Sequence, residues 1–356
     1  MHKTPIYECH KEQNALMAEF ANTLLPVRFS TEQEEYNAVR NHVGMFDVSH
    51  MGEFIISGSD ADNFLQYMLS NDLSKLKNNQ SQYTLLLNKQ GGIIDDLIAY
   101  KMQENKYLLC VNAANIQKDW HWLCEHAYAY SNLTLENVSD NYAQIALQGP
   151  NTFLLLQKLG FSKNIAKFSI SDFTYLNKQI LIARTGYTGE KYGVEIFVTP
   201  DNAAQLWKDL LLLGAEFNIK PCGLSVRDSL RIEAGLLLHG QDMSLETSAA
   251  NVDLMNFVNL QKNFIAKESL QNTKKSHKLI GFTINDKAIA RHGYQVFDHH
   301  SQLIGHVTSA TFIPAKSLSI GFAYIFDNSV SLGESITINI RNRSSNALVC
   351  KRNFLH

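Results

Sequence analysis

Two adjacent carboxylates, Asp95 and Asp96, interrupt an apolar stretch at 83–100 that otherwise has the pattern of two β-strands joined by a glycine-containing turn. Aspartate is depleted in strands, and successive strand side chains face opposite sides of a sheet, so we expect one carboxylate on each side. The side of Asp96 also carries Tyr100, whereas the side of Asp95 ends in Lys101, and we therefore expect Asp96 to be the more buried acid. A buried carboxylate needs a partner and is typical of a functional site, although an edge-strand aspartate that caps a backbone turn gives the same pattern.

Two arginines, Arg227 and Arg231, lie one helical turn apart on a predicted helix that follows a glycine at 223. A guanidinium group binds carboxylates in a bidentate manner, so the pair could clamp an anion. A solvated basic face, or ion pairs with Asp228 or Glu233, would explain the same spacing, and from the helix alone we favour this structural explanation.

Other chemistry-bearing segments fit structural roles. The glycine-rich segment 186–193 lies between two predicted strands and lacks the Gly-Lys-Ser/Thr sequence of a phosphate loop, so we interpret it as a hairpin that leads into the strand of Glu195. His121, Cys124 and Glu125 would share one face of a helix, but Cys124 belongs to the apolar stripe and a metal site needs three or four convergent ligands. We therefore predict no metal site.

The elements that must position these residues follow an α+β order. Residues 1–50 are predicted to be helix and loop, with a capping box of Ser30 and Gln33 before a helix to about 43. Two successive units then show strands and helices in a split β-α-β order, and short strands separated by turns beyond about 278 predict a small antiparallel β-barrel. We predict domains at 1–140, 141–272 and 278–356, with a solvated linker around the basic run 274–278.

Composition excludes several function classes. Of 356 residues, 45% are hydrophobic and 19% charged, and the formal net charge of −2 argues against bulk nucleic-acid binding. No apolar run approaches the length of a membrane span. Five scattered cysteines without a Cys-x-x-Cys motif, together with an N-terminus that has no signal-peptide pattern, predict a cytoplasmic protein without disulfides.

Several motifs follow one another along positions 4 to 309, namely 4–7 (TPIY), 46–52 (FDVSHMG), 83–85 (YTL), 91–97 (GGIIDDL), 111–115 (VNAAN), 147–150 (LQGP), 184–190 (RTGYTGE), 227–235 (RDSLRIEAG) and 305–309 (GHVTS). In this order they resemble the T-protein (aminomethyltransferase) family of the glycine cleavage system. Such a series in this order is highly specific.

This resemblance implies a fold and a reaction. The fold would be α+β, with two split β-α-β-type folate-embracing units and a C-terminal antiparallel β-barrel. The reaction would move the methylene of the aminomethyl group on the reduced lipoyl arm of H protein to tetrahydrofolate, with release of ammonia. Tetrahydrofolate would thus be the acceptor substrate and lipoylated H protein the partner, with no nucleic acid or membrane involved. Separately, the lack of a transit-peptide pattern at the N-terminus suggests a bacterial source.

The resemblance also assigns roles to residues. It implies that Asp96 is the essential acid, which would stabilise positive charge on the transferred carbon and assist proton transfer to the departing ammonia. Glu195 would bind the pterin ring and Arg227 the folate, while Asn112 matches a site residue of the family. Three further residues in the matched motifs would form pocket walls, namely Tyr83, Tyr187 and Met51.

Two alternative functions stay open on the sequence. A non-catalytic folate-binding relative is disfavoured, since the iron–sulfur maturation factors of the superfamily carry a Lys-Gly-Cys-x-x-Gly-Gln-Glu motif and segment 263–269 here has no cysteine. A folate-dependent demethylase that acts on a small substrate is separable only by assay. The segments 20–23, 247–250 and 252–258 and the tail at 351–356 depart from the family pattern, which affects expectations of affinity and partner contact rather than of reaction class.

Overall fold

A computed structural model describes residues 1–273, 277–285, 288–326, 330–341 and 343–355. It divides into two compact units, Met1–Leu86 with Asp95–Arg227, and Leu87–Ile94 with Asp228–His356. The predicted linker run 274–278 lies partly outside the described residues, and our three domain ranges stay predictions.

The strands are numbered in chain order. They are β1 (His2–Lys3), β2 (Leu16–Phe20), β3 (Thr23–Arg28), β4 (Val43–Asp47), β5 (Gly52–Ser57), β6 (Gln80–Leu87), β7 (Ile93–Gln103), β8 (Lys106–Val111), β9 (Thr134–Asn137), β10 (Ala143–Gln148), β11 (Ile170–Tyr175), β12 (Lys178–Ala183), β13 (Gly193–Val198), β14 (Ile219–Pro221), β15 (Lys278–Ile284), β16 (Gln295–Phe297), β17 (Leu303–Ile313), β18 (Leu318–Ile325), β19 (Ser335–Ile340) and β20 (Arg343–Cys350).

The α-helices are fewer and mostly short. They are α1 (Tyr7–Glu12), α2 (Glu32–Asn41), α3 (Ala61–Met68), α4 (Ile116–Ala127), α5 (Thr152–Lys158), α6 (Pro200–Gly214), α7 (Leu224–Glu233) and α8 (Lys267–Asn272).

The N-terminal fifty residues differ from the prediction of helix and loop. Strands β1, β3 and β2 form a three-stranded sheet in that order. Proline cannot donate to a ladder, but the central strand β3 accommodates Pro26 because β1 pairs with β3 only at Thr23 and Leu24, so the ladder bonds of that edge stop before the proline. The capping box is also one residue later than predicted: the Thr31 hydroxyl accepts from the Glu34 N–H, and the Glu34 carboxylate accepts from the Thr31 N–H, each at 3.3 Å.

The first sheet confirms the split β-α-β prediction. Its five strands lie in the order β6-β7-β8-β5-β9, with α3 connecting β5 to β6 and α4 connecting β8 to β9. Strand β7, which carries both aspartates, lies inside the sheet between β6 and β8. Its backbone groups are therefore bonded on both edges, and its side chains are held in fixed positions.

The second sheet repeats this arrangement with one addition. Its six strands lie in the order β11-β12-β13-β10-β4-β14, with α5 after β10 and α6 after β13. The N-terminal strand β4 is inserted between β10 and β14, antiparallel to the first and parallel to the second. Buried Trp207 and Leu206 of α6 pack in one apolar core with Ile145 and Ile196 of the sheet, which anchors the strand that carries the predicted site residue Glu195.

Within the second unit, six antiparallel strands close into a barrel in the order β15-β18-β17-β16-β19-β20. Its core is apolar and includes Phe282, Val307 and Ile338. The predicted C-terminal antiparallel barrel is therefore confirmed.

Candidate active site

Asp96 is held by hydrogen bonds from two neighbouring strands. The Tyr83 hydroxyl of β6 donates to Asp96 Oδ2 at 2.9 Å. The side-chain amide of Asn112, just beyond β8, donates to Asp96 Oδ1 and to the Asp96 main-chain oxygen, each at 2.9 Å. Burial and, next, the charge of Asp95 raise the pKa of Asp96 to about 7, so this carboxyl group can both give and take a proton near neutral pH.

Asp95 is the more buried acid, which corrects the sequence expectation. Its side chain is completely inaccessible, whereas Asp96 is half-buried. The face that ends in Lys101 was expected to be the more exposed one, but Lys101 buries its alkyl chain and extends its ammonium group to Asp62 at 3.1 Å. A lysine at the end of a strand face therefore did not mark that face as exposed.

Glu195 lies on β13, and its carboxylate is positioned by a short relay of hydroxyl groups. The Thr185 hydroxyl donates to Glu195 Oε2 at 2.5 Å, and the Tyr100 hydroxyl lies 3.2 Å from Thr185 Oγ1. All three side chains are buried. Burial raises the pKa of Tyr100 well above its usual value, with the negative charge of Glu195 adding to the effect, so Tyr100 stays a neutral phenol.

Arg227 is a partly buried cation with an unused donor, the buried atom Nη1. Burial lowers its pKa, and the charge of Glu195 opposes that shift. Its guanidinium carbon lies 5.1 Å from the centre of the Tyr187 ring and 5.9 Å from that of Phe46. Among the described residues, Nη1 has no hydrogen-bond partner. Because an unsatisfied buried donor is costly, this atom indicates a place for a ligand acceptor.

Arg231 has a structural role, as the alternative in the sequence analysis proposed. Within the second unit its Nε donates to Asp228 at 2.8 Å and its Nη1 to Asp242 at 2.5 Å, and the side chain is fully buried. The two arginines of the helix therefore do not form one anion clamp.

The first unit brings the seven predicted site residues into one region. Tyr83, bonded to Asp96, also interacts electrostatically with Tyr187, which packs on Arg227, and Arg227 in turn interacts with Glu195. Asn112 completes the hydrogen bonds of Asp96. Met51 is partly buried against the apolar cluster that contains Tyr100 and Phe197.

Sequence reasoning missed several polar residues of this region. Thr185 and Tyr100 were parts of a motif and of a strand face, without a pattern that would link them to Glu195. Glu53 is also buried, and burial together with Glu195 raises its pKa well above the usual value. Its position directly after the matched segment 46–52 was the one available signal.

His50 and Gln144 are the other two missed groups. Each has one side-chain nitrogen, His50 Nδ1 and Gln144 Nε2, that lacks a hydrogen-bond partner among the residues the structure describes. Burial and the nearby Arg227 lower the pKa of His50 to about 4, so its imidazole is neutral at pH 7. His50 lies inside the matched segment 46–52, which was the one signal available for it, whereas Gln144 is too far along the chain from the other site residues for spacing to reveal it.

The region combines the titrating, half-buried acid Asp96, the buried carboxylate of Glu195, the partly buried guanidinium of Arg227 and aromatic walls. This set can bind a planar polar ligand with several N–H donors and can move a proton at Asp96. In the described part of the chain, no group of three or more His, Cys, Asp or Glu side chains could hold a metal ion. Nor is any helix there long and apolar enough to cross a membrane.

Comparisons with known proteins agree on one family. Residues 6–262 match the model of the GCVT N-terminal domain, and residues 277–355 match the glycine cleavage T-protein C-terminal barrel domain. The chain is 42% identical to an aminomethyltransferase of Thermoanaerobacter sp. (strain X514), with 99% of this chain and 97% of the relative covered, and 41% identical, with the same coverage, to one of Staphylococcus saprophyticus.

A solved structure supports the same conclusion. The glycine cleavage system aminomethyltransferase T from Bartonella henselae superposes with a TM-score of 0.92 at 29% identity, covering 99% of this chain and 98% of that one. The match extends over both halves of the sequence and over the barrel. The chain belongs to the glycine cleavage T-protein (aminomethyltransferase) family and is accordingly a transferase.

Proposed function

We propose that this protein transfers the methylene of the aminomethyl group carried by the lipoyl arm of H protein to tetrahydrofolate, with release of ammonia. The observation that carries the proposal is the placement of Asp96. A half-buried carboxyl group, oriented by Tyr83 and Asn112, lies in the same region as Glu195 and Arg227. Its pKa of about 7 suits an acid–base group that operates at neutral pH.

The residues present fit a reduced folate. A pterin ring offers adjacent N–H donors, which a buried carboxylate such as Glu195 accepts, and the orphaned Nη1 of Arg227 offers a donor to an oxygen of the ligand. When bound, tetrahydrofolate supplies the nitrogen atoms that take up the one-carbon unit. We assign ring binding to Glu195 and Arg227, and the walls of the pocket to Tyr83, Tyr187 and Met51.

Asp96 carries out the chemistry that the chain itself contributes. Its carboxylate stabilises positive charge at the transferred carbon through a fixed position that needs no reorganisation during reaction. Asp96 takes up or releases a proton at Oδ1 or Oδ2. Asn112 contacts Oδ1 and Tyr83 contacts Oδ2, and together they hold the group in place whether it is protonated or ionised. The Tyr83 phenol stays protonated because burial and then Asp96 raise its pKa well above its usual value.

The partner and the compartment belong to the same proposal. Lipoylated H protein is the donor that this reaction requires. A cytoplasmic location is supported by five cysteines that are all free thiols, as in a reducing compartment.

A reconstituted assay tests the function. Ammonia release is followed with lipoylated H protein, an aminomethyl donor and tetrahydrofolate, and calorimetry measures tetrahydrofolate binding. We expect Asp96→Asn to lower turnover more than about tenfold, which corresponds to ~1.4 kcal/mol, while the binding constant changes by less than about threefold. Asp140→Asn, at an exposed aspartate, is the matched control and should behave as the parent.

Three outcomes would contradict the proposal. Turnover of Asp96→Asn within tenfold of the parent removes the role of Asp96. Tetrahydrofolate binding without any ammonia release by the parent favours a non-catalytic folate-binding relative. Turnover of a small methylated amine in place of the H-protein substrate favours a demethylase.

A further inference from the structure

Behind the two aspartates of β7 lies a third carboxyl group that the proposed chemistry does not use. Asp119 is in the first turn of α4 and is completely inaccessible to solvent. In the described part of the chain, no N–H or O–H donor bonds either of its carboxyl oxygens. Its contact is instead with another acid, since Asp119 lies within hydrogen-bonding reach of the Asp95 carboxylate.

Asp95 is already supplied with donors suited to an anion. Its carboxylate accepts from the Asn112 main-chain N–H at 2.9 Å, from the Asn112 side-chain amide at 2.8 Å and from the Asn115 amide at 2.6 Å. Three N–H donors stabilise an ionised carboxylate. Asp95 therefore holds the negative charge, and Asp119 can form a hydrogen bond with it only if Asp119 itself carries a proton.

The charges around Asp119 agree with this assignment. Burial and, next, the charge of Asp95 raise the pKa of Asp119 to about 11, with Asp96 acting in the same direction. Lys118 opposes the shift, but its ammonium group donates to Asn115 Oδ1 at 3.0 Å. From the neighbouring strands, Cys110 of β8 interacts with Asp95, and Tyr83 of β6 donates to Asp96.

A continuous set of hydrogen bonds connects Asp119 to the reacting acid. Asp95 Oδ1 accepts from Asn112 Nδ2 at 2.8 Å, and the same amide nitrogen donates to Asp96 Oδ1 at 2.9 Å. The place of Asp95 thus sets the orientation of the Asn112 amide, and that amide sets one oxygen of Asp96. A shift of Asp95 would move both.

We propose that Asp119 is a positioning residue for Asp96: it remains a neutral carboxylic acid, donates its proton in a hydrogen bond to Asp95, and through Asn112 fixes the position and charge environment of Asp96. No bond is made or broken in this role, and the proton stays on Asp119. The catalytic part of the inference rests on the proposed function, whereas the protonation of Asp119 and its effect on Asp96 do not.

The test uses full-length protein labelled with ¹³C at the aspartate carboxyl groups. An infrared difference spectrum between parent and Asp119→Asn at pH 8 reports a protonated aspartic acid directly, and the label separates it from Glu53. The titration of Asp96 is followed by carboxyl NMR, with its signal assigned by its loss in Asp96→Asn. Three variants are compared with the parent: Asp119→Asn, which keeps a donor to Asp95, and Asp119→Leu and Asp119→Ala, which do not.

We expect the band of a protonated aspartic acid in the parent and its loss in Asp119→Asn. The Asp96 midpoint should stay within about 0.3 unit of the parent in Asp119→Asn. In Asp119→Leu it should rise by at least about one unit, because the Asp95 charge is no longer shared with a donor. If Asp119→Leu does not fold, Asp119→Ala gives the same comparison. The infrared measurement uses only the parent and Asp119→Asn, so it does not depend on either of these variants.

Two results would overturn the inference. One is a parent spectrum without the protonated aspartic acid band that Asp119→Asn removes. The other is an Asp96 midpoint that is unchanged without a donor, or that moves as far in Asp119→Asn as in Asp119→Leu. Both measurements are made without substrate, so a protein that passes them and still releases no ammonia refutes the proposed function and leaves the role of Asp119 intact.

Discussion

The hydroxyl group of Thr185 is the point at which the predicted folate contact of Glu195 can be perturbed without changing the carboxylate itself. Thr185 donates to Glu195 Oε2 at 2.5 Å, and both side chains are buried. Thr185→Val keeps the shape of the side chain and removes the donor. Thr185→Ser keeps the donor and removes only a methyl group.

The structure sets the size of the expected effect. A hydrogen bond to a charged group contributes about 1.5–3 kcal/mol, and every ~1.4 kcal/mol is a factor of ten in binding. Without its donor, the Glu195 carboxylate loses the hydrogen bond that fixes its orientation. Arg227 interacts with Glu195 and compensates in part, so we expect the lower end of this range, a loss of roughly tenfold in tetrahydrofolate affinity.

Calorimetric titration with tetrahydrofolate measures the change directly. We expect Thr185→Val to bind about tenfold more weakly and Thr185→Ser to bind within about threefold of the parent. The effects of Thr185→Val and Glu195→Gln should not add in the double variant, because both remove the same interaction. Parental affinity in Thr185→Val, or an equal loss in Thr185→Ser, would refute the assignment of Glu195 and its relay to the ligand site.

Two further predictions concern stability. Arg231→Met should lower the free energy of unfolding, measured by urea denaturation, by about 3–5 kcal/mol, because it leaves Asp242 as a buried unpaired charge. The double variant Arg231→Met/Asp242→Leu should recover much of that loss. An unchanged denaturation midpoint in Arg231→Met would contradict the buried ion pair. Asp96 has a pKa of about 7 in the folded protein and about 3.9 in an unfolded chain, so the folded state holds more protons between these values and its stability falls as pH rises through them. Relative to Asp96→Asn, the parent should lose up to ~4 kcal/mol between pH 4 and 7.5, an upper bound at ~1.36 kcal/mol per pH unit, and parallel stability curves for the two proteins would contradict the raised pKa.

The sequence predicted the elements with a strong local pattern. Alternating apolar residues beyond 278 gave the barrel strands, and the stripe of Trp207 with its neighbours gave α6. The N-terminal strands were not predicted because the interactions that form them are not local in the sequence. Strand β4 is buried at every position and pairs with β10 a hundred residues later, so it has no polar–apolar alternation to identify it.

The candidate site divides along the same line. Asp96 was visible because an acid within an apolar strand breaks a local rule, and such violations concentrate at functional sites. Thr185 and Tyr100 break no rule: a threonine beside a glycine and a tyrosine on a strand are ordinary in sequence, and their roles arise only when two sheets bring them to Glu195. A sequence therefore reveals a residue whose burial costs free energy, such as Asp96, but not the hydrogen-bond donors that lower this cost in the folded protein.

The two neighbouring aspartates show how the fold produces different acids from one residue type. Asp95 receives three N–H donors and stays charged in a fully closed environment, whereas Asp96 receives one amide and one phenol and is half-buried. Burial and, next, the charge of Asp95 raise the pKa of Asp96 to about 7. Because alternation on a strand puts the two carboxylates on opposite sides, one can be committed to structure while the other borders the candidate site. Asp95→Asn should accordingly have two effects: it should lower the pKa of Asp96, and it should disturb the Asn112 amide that hydrogen-bonds to Asp96. The two acids therefore work as a unit rather than as separable residues.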